Sequence, residues 1–256
     1  VSGLHLSIIA LGAYRLARAL LNRVDAFATR WDPRRAAAAL AMPVACAYAL
    51  FTGGDVPVVR SAIAACLAFA GVLLMREVSG PNAIALAAMA ILAVDPGALY
   101  EPSFQLSFAS VAGIATLTNP LRAALTVPKR IGPRWVARPL ELLLLAICAS
   151  AAATLATTPL VAFHFRRIAL LAVPVNLLGI PLGSALTVAA ALAAVMASVS
   201  TPLASLALVV AGPLAQRLVD LNAYFAAPAW SSLPVASPSW LGLLVCHLAL
   251  AAAWRF

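Results

Sequence analysis

Among the arginines that lie inside or beside apolar stretches, three are candidates for binding an anion, because a guanidinium there must find an anion or reach water. Arg60 follows Pro57 at the start of one apolar run, and Arg166 and Arg167 end another. Such a side chain can bind an anion in a hydrated cavity. It can equally reach toward the membrane interface, or pair with an acid, as Arg60 could with Asp55. Both interpretations stay open. Basic loops and acidic turns alternate along the chain, and this alternation predicts that Arg166 and Arg167 lie on the external side of the membrane. Basic residues are not expected there, so these two arginines are the stronger anion-binding candidates.

Neutral polar side chains inside apolar runs form a second group of candidates. A buried amide without a hydrogen-bond partner costs about 1–3 kcal/mol, so Gln105 needs a partner. Ser107 lies two residues further on and points in a different direction on a helix. Hydrogen bonding between helices is one account of this pair, and lining a wet lumen is the other. Asn176 precedes Gly179 and Pro181, and it could cap a half-helix or expose backbone donors to an anion.

The titratable residues do not form a catalytic or metal-binding pattern. The three histidines and four cysteines are scattered without ligand spacing, so we expect no metal and no cofactor. The acidic residues lie mostly at predicted helix ends, and we therefore expect no catalysis. We interpret His5 as a residue that packs against or caps a helix, and a role as a gate is the alternative.

The composition identifies the class of protein to which these residues belong. Hydrophobic residues make up 64% of the 256 residues, charged residues 10%, and the mean hydropathy is +1.02. A soluble fold could not solvate such a surface, whereas a bilayer core about 30 Å thick needs roughly 20 apolar residues for each spanning helix. The net charge of +9 is explained first by basic loops on the cytoplasmic side, and supports a polyanionic ligand only weakly.

We predict an all-α, polytopic membrane protein with about eight transmembrane helices and one broken or re-entrant segment. The break is expected between residues 170 and 183, where prolines and glycines interrupt an apolar run. Because the chain begins at Val1 without a methionine, we expect a fragment of a longer protein. The apolar runs are about 4–21, 36–51, 57–75, 82–94, 103–117, 139–163, 185–199, 203–221 and 240–254.

Several short motifs, in order along the chain, resemble those of the ComEC family of competence proteins. The most specific is Asp95-Pro96 followed by Phe104-Gln105-Leu106-Ser107-Phe108. Arg60 after Val58-Val59 resembles the family's V-R-A segment, although Ser61 replaces the alanine. The remaining matches are Ser2-Gly3-Leu4-His5, Thr158-Pro159-Leu160, Phe165, Pro174-Val175-Asn176-Leu177-Leu178 and Pro181-Leu182.

This resemblance implies a channel in the bacterial inner membrane that passes single-stranded DNA into the cytoplasm during natural transformation. It implies that residues 1–256 form the channel domain, without the OB-like and metallo-β-lactamase-like domains that usually flank it. An external DNA-binding competence protein and a cytoplasmic helicase-like motor are the implied partners, beside single-stranded DNA and the lipid bilayer. The alternative is a secondary transporter of a small anion, which would also use a broken helix but predicts an internal symmetry that we do not find.

Overall fold

A computed structural model describes the chain apart from residues 1–2, 25–31, 55, 76–79, 126–133, 199 and 254–256. Helices dominate the described residues, as the composition predicts. The α-helices are α1 (Gly3–Leu21), α2 (Pro33–Phe51), α3 (Val56–Leu73), α4 (Gly80–Val94), α5 (Pro102–Ala124), α6 (Arg134–Phe165), α7 (Ala172–Ala197), α8 (Thr201–Ala226) and α9 (Trp240–Ala253). A 3-10 helix (Pro96–Tyr100) and the short strands β1 (Arg167–Ala169) and β2 (Ser232–Pro234) complete the described elements.

The chain divides into two compact units, Val1–Phe104 and Gln105–Phe256. In the first unit, α1, α2 and α3 pack against one another around a core that is rich in alanine. Every buried residue of α2 is an alanine. Because a methyl group is smaller than any side chain except the hydrogen of glycine, the helix backbones can approach closely. Close approach of this kind lets helices associate in lipid, where a hydrophobic driving force is absent.

In the second unit, α7 and α8 pack along their lengths, while α6 contacts both α7 and α9. A close approach between α5 and α6 depends on Gly113. A Cβ atom built there would lie 2.5 Å from the Cβ of Ala156 and 2.8 Å from the carbonyl oxygen of Ala152. The position therefore accepts only a residue without a side chain.

The predicted break between residues 170 and 183 is wrong. Helix α7 runs without interruption from Ala172 to Ala197 and joins that segment to the span predicted at 185–199. Pro174 falls in the first turn, where its missing N–H has no helical acceptor to lose, and Pro181 removes one hydrogen bond from an otherwise continuous helix. The glycines add no steric obstacle, so the apolar run remains a single helix.

Three described helical segments are long and apolar enough to cross a bilayer: Val136–Phe165, Ala172–Ala197 and Ser205–Ala226. Val58–Leu73, Asn82–Val94 and Trp240–Leu250 are apolar but shorter. At a rise of about 1.5 Å per residue, the 15 residues of α4 span only about 22 Å. The membrane class is thus supported, whereas the count of about eight spanning helices is not confirmed.

The described residues of the motifs that resemble the ComEC family lie within helices or at their ends. The side chain of Asp95 accepts a hydrogen bond from the Gly97 N–H at 2.9 Å and caps the 3-10 helix that Pro96 begins. Phe104 is buried and His5 is half-buried in α1. Gly3 begins α1, Pro159 lies within α6, Pro181 lies within α7, and Ser2 is outside the described residues.

Candidate functional site

Arg60 is a buried side chain of α3, with only 8% of its surface exposed. Its Nη1 donates a hydrogen bond to the Ser103 carbonyl oxygen at 2.9 Å, across 43 residues of sequence. The Ser103 hydroxyl in turn donates to Glu101 Oε2 at 3.2 Å. Arg60 thus ties α3 to the chain that enters α5, and its contact with an anion stays a prediction. Asp55, the acid considered as its partner, lies outside the described residues.

Gln105 has the hydrogen-bond partner that its environment requires. Its Oε1 lies 2.8 Å from Nε2 of His164, which is near the C-terminal end of α6. Because an amide oxygen can only accept, the imidazole donates this hydrogen bond. Both side chains are half-buried. One of the two accounts of Gln105, a hydrogen bond between helices, is therefore observed, and its position on a wet lumen stays a prediction. Ser107 is also half-buried, and its carbonyl oxygen accepts a hydrogen bond from the Ser110 hydroxyl at 2.8 Å.

Arg166 and Arg167 are exposed where α6 ends. Arg166 adopts the left-handed conformation with φ of 54°, and its N–H still bonds to the Ala162 carbonyl oxygen at 3.1 Å. This is the conformation that commonly ends a helix, although glycine is its usual occupant. Arg167 begins β1, and its Nη1 lies 3.5 Å from the Ser232 hydroxyl.

A small antiparallel ribbon holds these two arginines in place. Arg167 pairs with Pro234 and Ala169 with Ser232. The Val235 N–H donates to the Arg166 carbonyl oxygen at 3.0 Å. The ribbon joins segments more than 60 residues apart, and neither three-residue strand has a hydrophobic alternation that would reveal it. It is the one element of this region that sequence reasoning missed.

Asn176 contacts α6 instead of capping a half-helix. Its Nδ2 donates to the Ser150 hydroxyl at 3.3 Å. It also lines a cavity of about 230 Å³, here called the hydroxyl groove, whose lining continues to β1. The lining residues are Ser110, Ala153, Thr154, Thr157, Thr158, Val161, Ile168, Ala169, Ala172 and Asn176.

The hydroxyl groove offers mainly hydrogen-bond acceptors. Thr154, Thr157 and Thr158 each donate their hydroxyl proton to a carbonyl oxygen one turn earlier in α6, at 2.6–2.8 Å. Ser110 does the same in α5. Since each hydroxyl has one proton, the oxygens keep only lone pairs. They suit ligands with N–H or O–H donors, while an anion would need the arginines of the adjoining ribbon.

A second cavity of about 300 Å³ adjoins Gly113 and is lined mainly by apolar side chains. His247 borders it, with Nδ1 donating to the Leu243 carbonyl oxygen at 2.8 Å. Its Nε2 is buried without a hydrogen-bond partner among the described residues. Within the same described part of the chain, His, Cys, Asp and Glu form no group of three that could hold a metal ion.

All 256 residues match the family described as Competence protein. A curated relative, ComE operon protein 3 of Bacillus subtilis (strain 168), is 26% identical over 181 residues. That alignment covers 71% of this chain but 20% of the relative, so it spans about a fifth of the longer protein. No solved structure matches the chain. The extent of the family match shows that this chain belongs to the Competence protein family.

Proposed function

We propose that the chain forms a multi-pass channel in the bacterial inner membrane through which single-stranded DNA enters the cytoplasm during natural transformation. Family membership and the relative's name, which refers to the ComE operon, support a role in competence. One structural observation carries the finer proposal. Arg166 and Arg167 are exposed on the ribbon, and the two residues that follow them in the chain, Ile168 and Ala169, line the hydroxyl groove.

This arrangement suits the two chemically different parts of a nucleotide. Phosphates require positive charge, which Arg166 and Arg167 supply at the end of α6. Base edges carry N–H donors, which the lone pairs of the groove can accept. A conducting path must bind weakly at several sites, because a single tight site would stall the strand. Hydroxyl and amide groups interspersed with a few arginines meet that condition.

The finer parts of the proposal follow from the resemblance. An external DNA-binding protein would deliver the strand, and a cytoplasmic helicase-like motor would draw it inward. The chain itself would not cut DNA. The alternative of a small-anion transporter would require an internal symmetry that the sequence does not display.

The test removes the positive charges and leaves polar, uncharged side chains in their place. In a naturally transformable cell, Arg166→Gln and Arg167→Gln are compared singly and together with Arg217→Gln, which removes an exposed arginine on α8 outside the groove lining. The readout is labelled DNA that becomes protected from external nuclease, with membrane abundance measured by immunoblot. A charged hydrogen bond is worth about 1.5–3 kcal/mol, so we expect each loss to reduce uptake roughly tenfold or more.

The outcomes separate charge from structure. Arg166→Lys and Arg167→Lys should keep much of the uptake, because the positive charge remains. Wild-type uptake by the double glutamine variant at normal abundance would refute the proposed path. An equal loss in Arg217→Gln would show a general charge effect and would also argue against this site.

A further inference from the structure

We propose that Cys46 and Cys66 are a redox-active dithiol that closes reversibly to a disulfide and covalently joins α2 to α3. Their Sγ atoms lie 3.6 Å apart, although the residues are 20 positions apart in sequence. The site lies within the first unit and takes no part in the DNA path proposed above. It therefore stands or fails independently of that function.

The distance is compatible with closure by side-chain rotation. The sulfurs of a disulfide are about 2.05 Å apart, so the two thiols must approach by about 1.5 Å. Rotation of a cysteine between staggered rotamers moves its sulfur by about 3 Å. Helices α2 and α3 already pack against each other through alanines such as Ala45, Ala49 and Ala62, so the backbones are held close together.

The pair is also open to reagents. Cys46 is exposed and Cys66 is partly exposed, so a membrane-permeant oxidant can reach the first thiol and the second can complete the reaction. The other cysteines lie in the second unit, where Cys148 is buried and Cys246 is exposed. Cys246 therefore serves as an exposed, single-thiol control.

The chemistry is thiol–disulfide exchange with a disulfide-class oxidant. The thiolate of one cysteine attacks an oxidant sulfur, releases one small thiol and forms a mixed disulfide. The thiolate of the neighbouring cysteine then attacks the protein sulfur and releases the second small thiol. The two cysteines lose two electrons and two protons in total, and the oxidant is reduced to two thiols.

The experiment uses 4,4′-dipyridyl disulfide on the protein in bacterial membranes, followed by digestion and mass spectrometry of each cysteine. We expect Cys246 to retain a thiopyridyl group, whereas Cys46 and Cys66 appear as a peptide pair joined by a disulfide that a reductant separates. In Cys46→Ser, Cys66 should retain the thiopyridyl group, because no second thiol resolves it. In Cys246→Ser, the joined pair should form as in the wild type.

Two results would overturn the proposal. The first is a wild-type protein in which Cys46 and Cys66 each retain a thiopyridyl group, which would mean that the sulfurs cannot meet. The second is a protein in which neither cysteine reacts under conditions that modify Cys246. DNA uptake does not enter this readout, so failure of the channel proposal leaves the result interpretable.

Discussion

Arg166 permits a test that separates backbone strain from charge. A residue with a Cβ in the left-handed conformation costs about 1–2 kcal/mol relative to one without it. Arg166 has φ of 54° and is exposed, so Arg166→Gly relieves this strain without opening a cavity. Glycine loses about 0.5–1 kcal/mol more backbone entropy on folding, which leaves a net stabilisation of about 0.5–1 kcal/mol.

The assay is thermal unfolding of the detergent-solubilised protein, followed by circular dichroism. A gain of this size raises the melting temperature by about 1–4 °C in a chain of this length. Arg167→Gly is the matched control, because it removes the same charge from the next residue. There, glycine weakens a strand and loses the contact with Ser232, so the melting temperature should fall.

The two variants should differ in stability but agree in function. If the charge of Arg166 contacts DNA, Arg166→Gly will take up less DNA even though the protein is more stable. A lower melting temperature for Arg166→Gly than for the wild type would refute the strain argument. Unchanged uptake would instead refute the role of this arginine in the DNA path.

Three further predictions concern packing and hydrogen bonds, each measured by thermal unfolding in detergent. Gly113→Ala should destabilise the protein by about 1–3 kcal/mol, because the new methyl would lie 2.5 Å from a side-chain atom of α6. Gly183→Ala has open space around it and should be neutral or slightly stabilising; an equal effect of the two would contradict the steric argument. Arg60→Leu should cost about 1.5–3 kcal/mol by removing the charged donor to the 103 carbonyl, and wild-type stability would show that this hydrogen bond contributes nothing. Gln105→Leu should cost about 1–3 kcal/mol, and His164→Phe should cost less in that background than in the wild type. Strictly additive effects would mean that the two side chains are not coupled.

The local pattern of the sequence accounts for much of the helical architecture. The predicted run at 82–94 corresponds to Gly80–Val94, and the predicted run at 36–51 corresponds to Pro33–Phe51. Both are bounded by turn residues that the sequence displays. The expectation that proline interrupts a helix was wrong at Pro181. Helix α7 continues through this residue because the neighbouring turns retain their hydrogen bonds.

The sequence by itself determined the class of the protein, because hydropathy and the scarcity of charge depend on composition alone. The short motifs place the chain in its family. The need of Gln105 for a partner also followed from its apolar neighbours. The tertiary structure alone decided that this partner is His164, that Arg60 bonds to the Ser103 carbonyl, and that two short strands fix the arginine pair. Each of these contacts joins residues more than 40 positions apart, and the periodicity of a single sequence reports only on neighbours within a few turns.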